Sequence, residues 1–87
     1  MQIILTESFK QQFKKLPKEI QEMFYNKISL FLNDFKHPSL RIHKLQWNLS
    51  NFFSLSINMS YRTKFALKWE YAEFIEIWKH DLVYKNI

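Results

Sequence analysis

The stretch FFSLSINMSYRTKFALKW (52–69) decides the fold. Apolar and polar side chains alternate on both sides of a polar interruption at Asn58 to Ser60, and this period of two is typical of half-buried strands. The stretch therefore predicts two antiparallel strands joined by a tight turn. The side chains predicted to face inward are Phe53, Leu55, Ile57 and Met59 in the first strand, and Tyr61, Thr63, Phe65, Leu67 and Trp69 in the second.

The residues that precede this hairpin predict one strand and two helices. The run QIIL (2–5) is short and apolar, and Thr6 is a residue type that caps a helix by accepting a hydrogen bond from a free backbone N–H. Pro17 ends the first helix and suits the start of a second. Apolar residues then recur at steps of three and four over 20–35, which indicates one buried helical face.

Two further strands are predicted from LRIHKL (40–45) and FIEIWKH (74–80), the latter with Ile75 and Ile77 facing inward. The element order is then β-α-α-β-β-β-β. We expect a single α+β domain over residues 1–87, with an N-terminal strand and a two-helix hairpin packed on one face of a mainly antiparallel, four- to five-stranded sheet.

The composition excludes several classes of protein. The chain has 87 residues, 13 Lys and Arg against 8 Asp and Glu, and a net charge of +5, which suits an anionic partner. It has no Cys for disulfides or thiolate metal sites and no Gly for a glycine-rich phosphate loop. Histidines and acids show no metal-ligand spacing, so we expect no metal and no cofactor. No apolar run could span a membrane and no signal peptide is visible, so we expect a soluble, cytoplasmic protein.

The polar side chains of the strands should share the sheet face that points away from the helices, here called the open face. A twisted sheet makes such a face concave, and its cations suit a phosphate backbone. His43 joins this face if Ile42 points inward, and Lys44 joins it if Leu45 does. The alternation leaves that choice open. The side chains assigned to the open face are Ser54, Ser56, Asn58, Arg62, Lys64, Lys68, Glu76 and His80.

These residue types favour metal-free cleavage of RNA. That reaction needs a base for the 2′-OH proton, cations for the anionic phosphorane and an acid for the leaving 5′-oxygen. Histidine can serve as base or acid because its ordinary pKa is about 6.5.

Three segments, HPSLRIHKL (37–45), INMSYR (57–62) and HDLVY (80–84), together resemble the RelE/ParE superfamily of bacterial type II toxins, and the likeness extends over nearly the whole chain. The resemblance implies the RelE-like fold and a toxin neutralised by a cognate antitoxin protein. For the RelE/YafQ-like branch it implies an mRNA interferase, which cleaves mRNA on the ribosome without a metal and inhibits translation.

The resemblance also implies roles for individual residues. Arg62 corresponds to the arginine that holds phosphate, and the alternative is an ion pair with Glu76. His80 corresponds to the C-terminal catalytic histidine, or else it is a strand-edge residue paired with Asp81. Tyr84 corresponds to the aromatic residue that orients the base, or else it anchors the C-terminus.

Other implied contacts come from the strands. His43 and Lys44 look like the family's second-strand pair, which contacts phosphate or takes a proton, and we expect Lys64, Ser56 and Trp78 to contact the substrate. Trp47, Asn51 and Trp78 stand where relatives usually have Gly. Because of these departures from the family pattern, one alternative is a decayed toxin that only binds its antitoxin. A ParE-like poison of DNA gyrase is the other.

Overall fold

The computed structural model describes residues 1–45 and 52–79. In this part of the chain the helices are α1 (Glu7–Phe13) and α2 (Lys18–Asn33), followed by one 3₁₀ turn at Pro38–Leu40. None of the helices there is long and apolar enough to cross a membrane. The strands are β1 (Gln2–Leu5), β2 (His43–Lys44), β3 (Phe52–Ser56), β4 (Tyr61–Leu67) and β5 (Tyr71–Lys79).

The described strands form one five-stranded sheet in the order β1-β5-β4-β3-β2. β1 runs parallel to β5, and every other neighbouring pair is antiparallel. The two helices follow β1 and cover one face of the sheet. The predicted α+β class, element order and mainly antiparallel sheet are confirmed.

Phe74 of β5 connects both helices to the sheet. Its side chain is fully buried. Its ring centroid lies 6.1 Å from that of Phe9 in α1, and 5.7 and 6.2 Å from those of Phe24 and Phe31 in α2. The ring of Phe65 in β4 stacks on it at 5.0 Å. Large rings are an efficient way for a small domain to bury apolar surface, and here one ring contacts most of the core.

The junction between β1 and α1 holds the second half of β5 in place. Thr6 Oγ1 accepts a hydrogen bond from Phe9 N at 3.1 Å, which confirms the predicted helix cap. The same hydroxyl donates to Ile75 O at 3.3 Å, and Ile77 N donates to Gln12 Oε1 at 3.0 Å. β5 extends past the end of β1, so side chains of the helix layer satisfy backbone groups that a neighbouring strand would otherwise pair.

A bulge in β5 changes which of its side chains face inward, so that these are not the predicted pair Ile75 and Ile77. Phe74 and Ile77 are the buried residues, at 0% and 4% exposure, whereas Ile75 is only half-buried. The neighbouring β4 residues Phe65 and Lys64 pair with Phe74 and Glu76 of β5. Ile75 lies between these two β5 residues and has no partner in β4. The prediction that Ile75 faces inward with Ile77 was wrong because strict alternation ignores such an extra residue.

The second strand is shorter than predicted. Only His43 and Lys44 pair with β3, although the sequence pattern predicts a strand over 40–45. Leu40 closes the 3₁₀ turn, and Arg41 has φ 47° and ψ 51°, in the left-handed region. Such a residue cannot belong to an extended strand.

The two ends of the hairpin also differ from the prediction. Met59 and Trp69, expected to face inward, are 69% and 93% exposed. The Oδ1 atom of Asn58 accepts hydrogen bonds from the backbone N–H groups of Ser60 and Tyr61 at 2.8 Å, so the chain turns before Met59 can continue the strand. Trp69 lies in the bend that follows β4.

We predict that Phe74→Ala lowers the free energy of unfolding by about 3–5 kcal/mol, because it removes a fully buried ring from the centre of the core. Urea denaturation followed by circular dichroism measures the change. Trp69→Ala is the matched control and should alter the free energy by no more than about 0.5 kcal/mol. Equal losses in the two variants would contradict this account of the core.

Candidate functional site

The pairing of four strands places a row of polar residues across the open face. His43 lies opposite Ser54, Ser54 opposite Lys64, and Lys64 opposite Glu76. Directly opposed residues of neighbouring strands point to the same side of a sheet. The structure therefore decides the question that alternation left open, and His43 belongs to the open face.

A second row runs parallel to the first. Ser56 lies opposite Arg62, and Arg62 opposite Trp78, so these residues share one face, as the alternation predicts. Rows on one face of a strand are two residues apart, which corresponds to about 7 Å, and neighbouring strands are about 4.8 Å apart. The imidazole of His43, the guanidinium of Arg62 and the indole of Trp78 therefore lie on one surface, which is about as large as a few nucleotides.

Lys44 lies on the other side of the sheet. It pairs with Phe53, which packs against the hydrophobic core. His43 and Lys44 are both exposed, but the structure does not bring them together on one face. The predicted contact of Lys44 with the substrate stays a prediction, and it would require a substrate that passes around the β2 edge.

Lys64 is engaged by two neighbours. Its Nζ atom lies 3.1 Å from Glu76 Oε2 and 5.3 Å from the ring centroid of Phe52. The alternative pairing of Glu76 with Arg62 was wrong, because Glu76 stands directly across from Lys64. Glu76 therefore offsets the charge of Lys64 and not that of Arg62.

Arg62 keeps its charge uncompensated within the described residues. No described carboxylate forms an ion pair with it, and its buried Nε atom has no hydrogen-bond partner in residues 1–45 and 52–79. The buried Oγ atom of Ser54 likewise has no partner there. A guanidinium stays charged and presents a planar fork of donors, which suits a phosphate.

Ser56 and Trp78 flank Arg62 in different ways. Ser56 is buried and its Oγ atom donates to Asn58 O at 2.8 Å, so this hydroxyl supports the turn and keeps only its lone pairs for a ligand. Trp78 is 36% exposed, and an exposed indole can stack on an unpaired base. Of the two, Trp78 has the geometry of a substrate contact.

Glu73 belongs to the open face, although the sequence pattern did not place it. β5 begins at Tyr71, three residues earlier than predicted, and Glu73 lies opposite Ala66. The alternation of Tyr71, Ala72, Glu73 and Phe74 is the signal that would have found it. With Glu73 and Glu76 present, the described face is mixed in charge and not mostly cationic.

The other predicted site residues fall outside the described part. His80 and Tyr84, and the substituted glycine positions Trp47 and Asn51, lie in 46–51 and 80–87. Their roles stay predictions. Within 1–45 and 52–79, no three His, Asp or Glu side chains are grouped as a metal site would require.

Comparison with known proteins identifies the fold. No family model and no curated protein sequence matches the chain. Among solved structures, the YoeB/ParE toxin from Agrobacterium tumefaciens superposes with a TM-score of 0.76 at 14% identity, covering 93% of this chain and 100% of that one.

Two solved complexes contain chains of similar fold. The Escherichia coli DinJ–YafQ complex matches with a TM-score of 0.75 at 15% identity, over 90% of this chain and 91% of that one. The archaeal RelE–RelB complex from Pyrococcus horikoshii OT3 matches with a TM-score of 0.75 at 10% identity, over 93% and 96%. The chain therefore has the RelE-like toxin fold, as its resemblance implied.

We predict that Glu76→Gln tightens binding of a single-stranded oligonucleotide several-fold at low salt, because it releases Lys64 from its carboxylate partner. The free energy of unfolding should change by less than about 1 kcal/mol, since the pair is partly exposed. Fluorescence anisotropy and thermal unfolding measure the two effects. The control Glu22→Gln makes the same charge change on exposed α2 surface, and an equal gain in that variant would show that only net charge matters.

Proposed function

We propose that the chain is the toxin of a bacterial type II toxin–antitoxin system, and that it is an endoribonuclease that cleaves mRNA on the ribosome and inhibits translation. The observation that carries the proposal is Arg62, a partly buried guanidinium without an anionic partner among the described residues, on the open face of a RelE-like fold. Ribosomes and mRNA are its proposed partners and the cytoplasm its proposed location.

The proposed reaction is transesterification at a phosphodiester. The 2′-oxygen attacks phosphorus while a base removes its proton, the bond to the 5′-oxygen breaks, and an acid protonates that leaving group. The products carry a 2′,3′-cyclic phosphate and a 5′-hydroxyl. Arg62 holds the phosphate and stabilises the additional negative charge of the phosphorane, an effect that commonly contributes about 10²–10³ in rate.

His43 and His80 are the proposed proton-transfer groups. His43 is exposed on the open face two strands away from Arg62, so about 10 Å of sheet and one row separate their backbones. Both side chains are long enough to reach toward one phosphodiester between them. His80 follows directly after β5, next in sequence to the strand that carries Trp78. Which of the two acts as base is left to experiment.

Trp78 and Tyr84 are the proposed aromatic contacts to the substrate. Trp78 stands directly opposite Arg62, so an unstacked base on its indole would carry its phosphate toward the guanidinium. Lys64 and Ser56 lie next to this position. Glu76 offsets the charge of Lys64, and Ser56 can only accept a hydrogen bond because its hydroxyl already donates to Asn58 O.

The proposed second partner is a cognate antitoxin protein. The described helix hairpin and the turn after it keep apolar side chains exposed, with Tyr25 at 57% and Leu32 at 49% in α2 and Phe35 at 58% after it. The solved DinJ–YafQ and RelE–RelB complexes pair chains of this fold with an antitoxin. An amphipathic, acidic segment would bury such apolar surface and match the net charge of +5.

We predict that Arg62→Ala abolishes growth inhibition in a bacterial host and removes new mRNA 5′ ends within translated codons, because the phosphorane loses its cation. Mapping of 5′ ends across the transcriptome after induction makes the measurement. Arg62→Lys keeps the charge but not the planar fork and should be intermediate. Lys15→Ala, on exposed surface after α1, is the charge-matched control and should cleave as the unmodified protein does.

The outcomes separate the functional classes. Full cleavage by Arg62→Ala, with unchanged circular dichroism, would refute the assigned site. Growth arrest with DNA damage and no new mRNA ends in the unmodified protein would assign the chain to the gyrase poisons instead. Absence of both effects, with retained antitoxin binding, would identify a decayed toxin.

We further predict that His80→Ala lowers the single-turnover cleavage rate on programmed ribosomes by about 10²–10⁴, the usual contribution of one proton-transfer group. Quench-flow of labelled mRNA gives the rate. Trp69→Ala, in the exposed bend after β4, should cleave at an unchanged rate. An unaltered rate in His80→Ala would leave His43 as the histidine to test.

A further inference from the structure

A basic groove lies beside the open face, between the C-terminal end of α2 and β2. It is open, has a volume of about 660 Å³, and has no acidic residue among those that line it. Four side chains in its wall are basic, and three are apolar. The lining residues are Phe35, Lys36, His37, Pro38, Arg41, Ile42 and His43.

The groove is continuous with the candidate site through His43. His43 lines the groove and also pairs with Ser54 in the first row of the open face. A strand that crosses Arg62 and His43 therefore enters this groove next. A polymer with one phosphate per residue would find cations in both places, whereas a small ligand would occupy only one.

Arg41 occupies a backbone conformation that its residue type disfavours. Its φ of 47° and ψ of 51° lie in the left-handed region, where Gly or Asn is usual. The turn imposes the conformation, because Arg41 N donates to Pro38 O at 3.1 Å. Strained positions of this kind concentrate at functional sites.

His37 is fixed in one orientation by the same turn. Its Nδ1 atom accepts hydrogen bonds from the backbone N–H of Ser39 at 3.1 Å and from Ser39 Oγ at 2.9 Å. Because a backbone N–H can only donate, Nδ1 carries the lone pair and the proton of the neutral ring resides on Nε2. The turn thus leaves His37 with a ring N–H available to an acceptor such as a phosphate oxygen.

Phe35 adds an aromatic surface to these donors. Its ring is 58% exposed, and the Nζ atom of Lys36 lies 5.9 Å from its centroid. An exposed ring beside cations is the combination that binds single-stranded nucleic acid, since the ring stacks on a base while the cations contact its phosphate.

We propose that this groove is a second binding subsite for single-stranded RNA, which holds a nucleotide farther along the strand than the one at Arg62. Arg41, Lys36 and the His37 ring N–H contact its phosphate, and Phe35 stacks on its base. This inference rests on the proposed function, because the strand held here is the one presented to the cleavage site. All of these contacts come from this chain, so free oligonucleotides can test the proposal.

The experiment measures binding of a fluorescein-labelled, single-stranded 2′-O-methyl oligoribonucleotide, which lacks the attacking 2′-OH and cannot be cleaved. Total chemical synthesis of the 87-residue chain avoids both toxicity to a host and cleavage of the message that encodes it. We predict that Arg41→Gly weakens affinity about fivefold to tenfold at 0.1 M salt and lowers the slope of log affinity against log salt by about 0.7. Because glycine suits a positive φ, the same variant should be at least as stable to heat. A purely structural role of Arg41 would not produce that combination.

Two matched controls separate binding by the groove from general effects of charge and of exposed aromatic surface. Lys18→Ala removes one cation at the opposite end of α2, and Trp69→Ala removes a more exposed ring outside the groove. Each should change affinity by less than about twofold. Phe35→Ala should lose about tenfold, the usual effect of one stacked base.

The inference is overturned if Arg41→Gly and Phe35→Ala bind as tightly as the unmodified protein, if the controls lose as much, or if the free protein binds no strand. The proposed function fails separately. Arg41-dependent binding without new mRNA ends in cells would leave an RNA-binding groove on a protein that does not cleave. New ends that depend on Arg62 and not on Arg41 would leave a nuclease without this subsite.

Discussion

The extra residue in β5 determines which side chains reach the open face. Phe74 is fully buried among the rings of both helices, and strict alternation from that position would turn Glu76 into the core and Ile77 out of it. Ile75 adds one residue and reverses the alternation, so Ile77 is buried and Trp78 lies opposite Arg62. The aromatic core and the candidate site are compatible only because of this bulge.

The helix layer supports the bulge from the other side. The part of β5 at and after the bulge extends past the end of β1, and an unsatisfied buried backbone group costs about 1–3 kcal/mol. The Thr6 hydroxyl donates to Ile75 O and Gln12 Oε1 accepts from Ile77 N, so two side chains of α1 and its cap satisfy these groups. The first helix therefore positions Trp78 and Glu76 as well as covering the sheet.

The two strand cations at the centre of the open face differ in their acid partners. Glu76 offsets Lys64, whereas Arg62 has no described carboxylate, and the groove that begins at His43 has no acid in its wall. Local pairing thus distinguishes cations that stabilise the sheet from cations that remain available to an anion. The net charge of +5 alone carries no such information.

The sequence by itself determined the α+β class, the element order, the Thr6 cap and the face shared by Ser56, Arg62 and Trp78, because these follow from local periodicity and residue chemistry. Only the tertiary structure decided the inward residues of β5, the faces of His43 and Lys44 and the partner of Glu76. Each of these depends on register between strands distant in sequence. A bulge or a left-handed residue such as Arg41 shifts that register, and alternation within one strand has no signal for it.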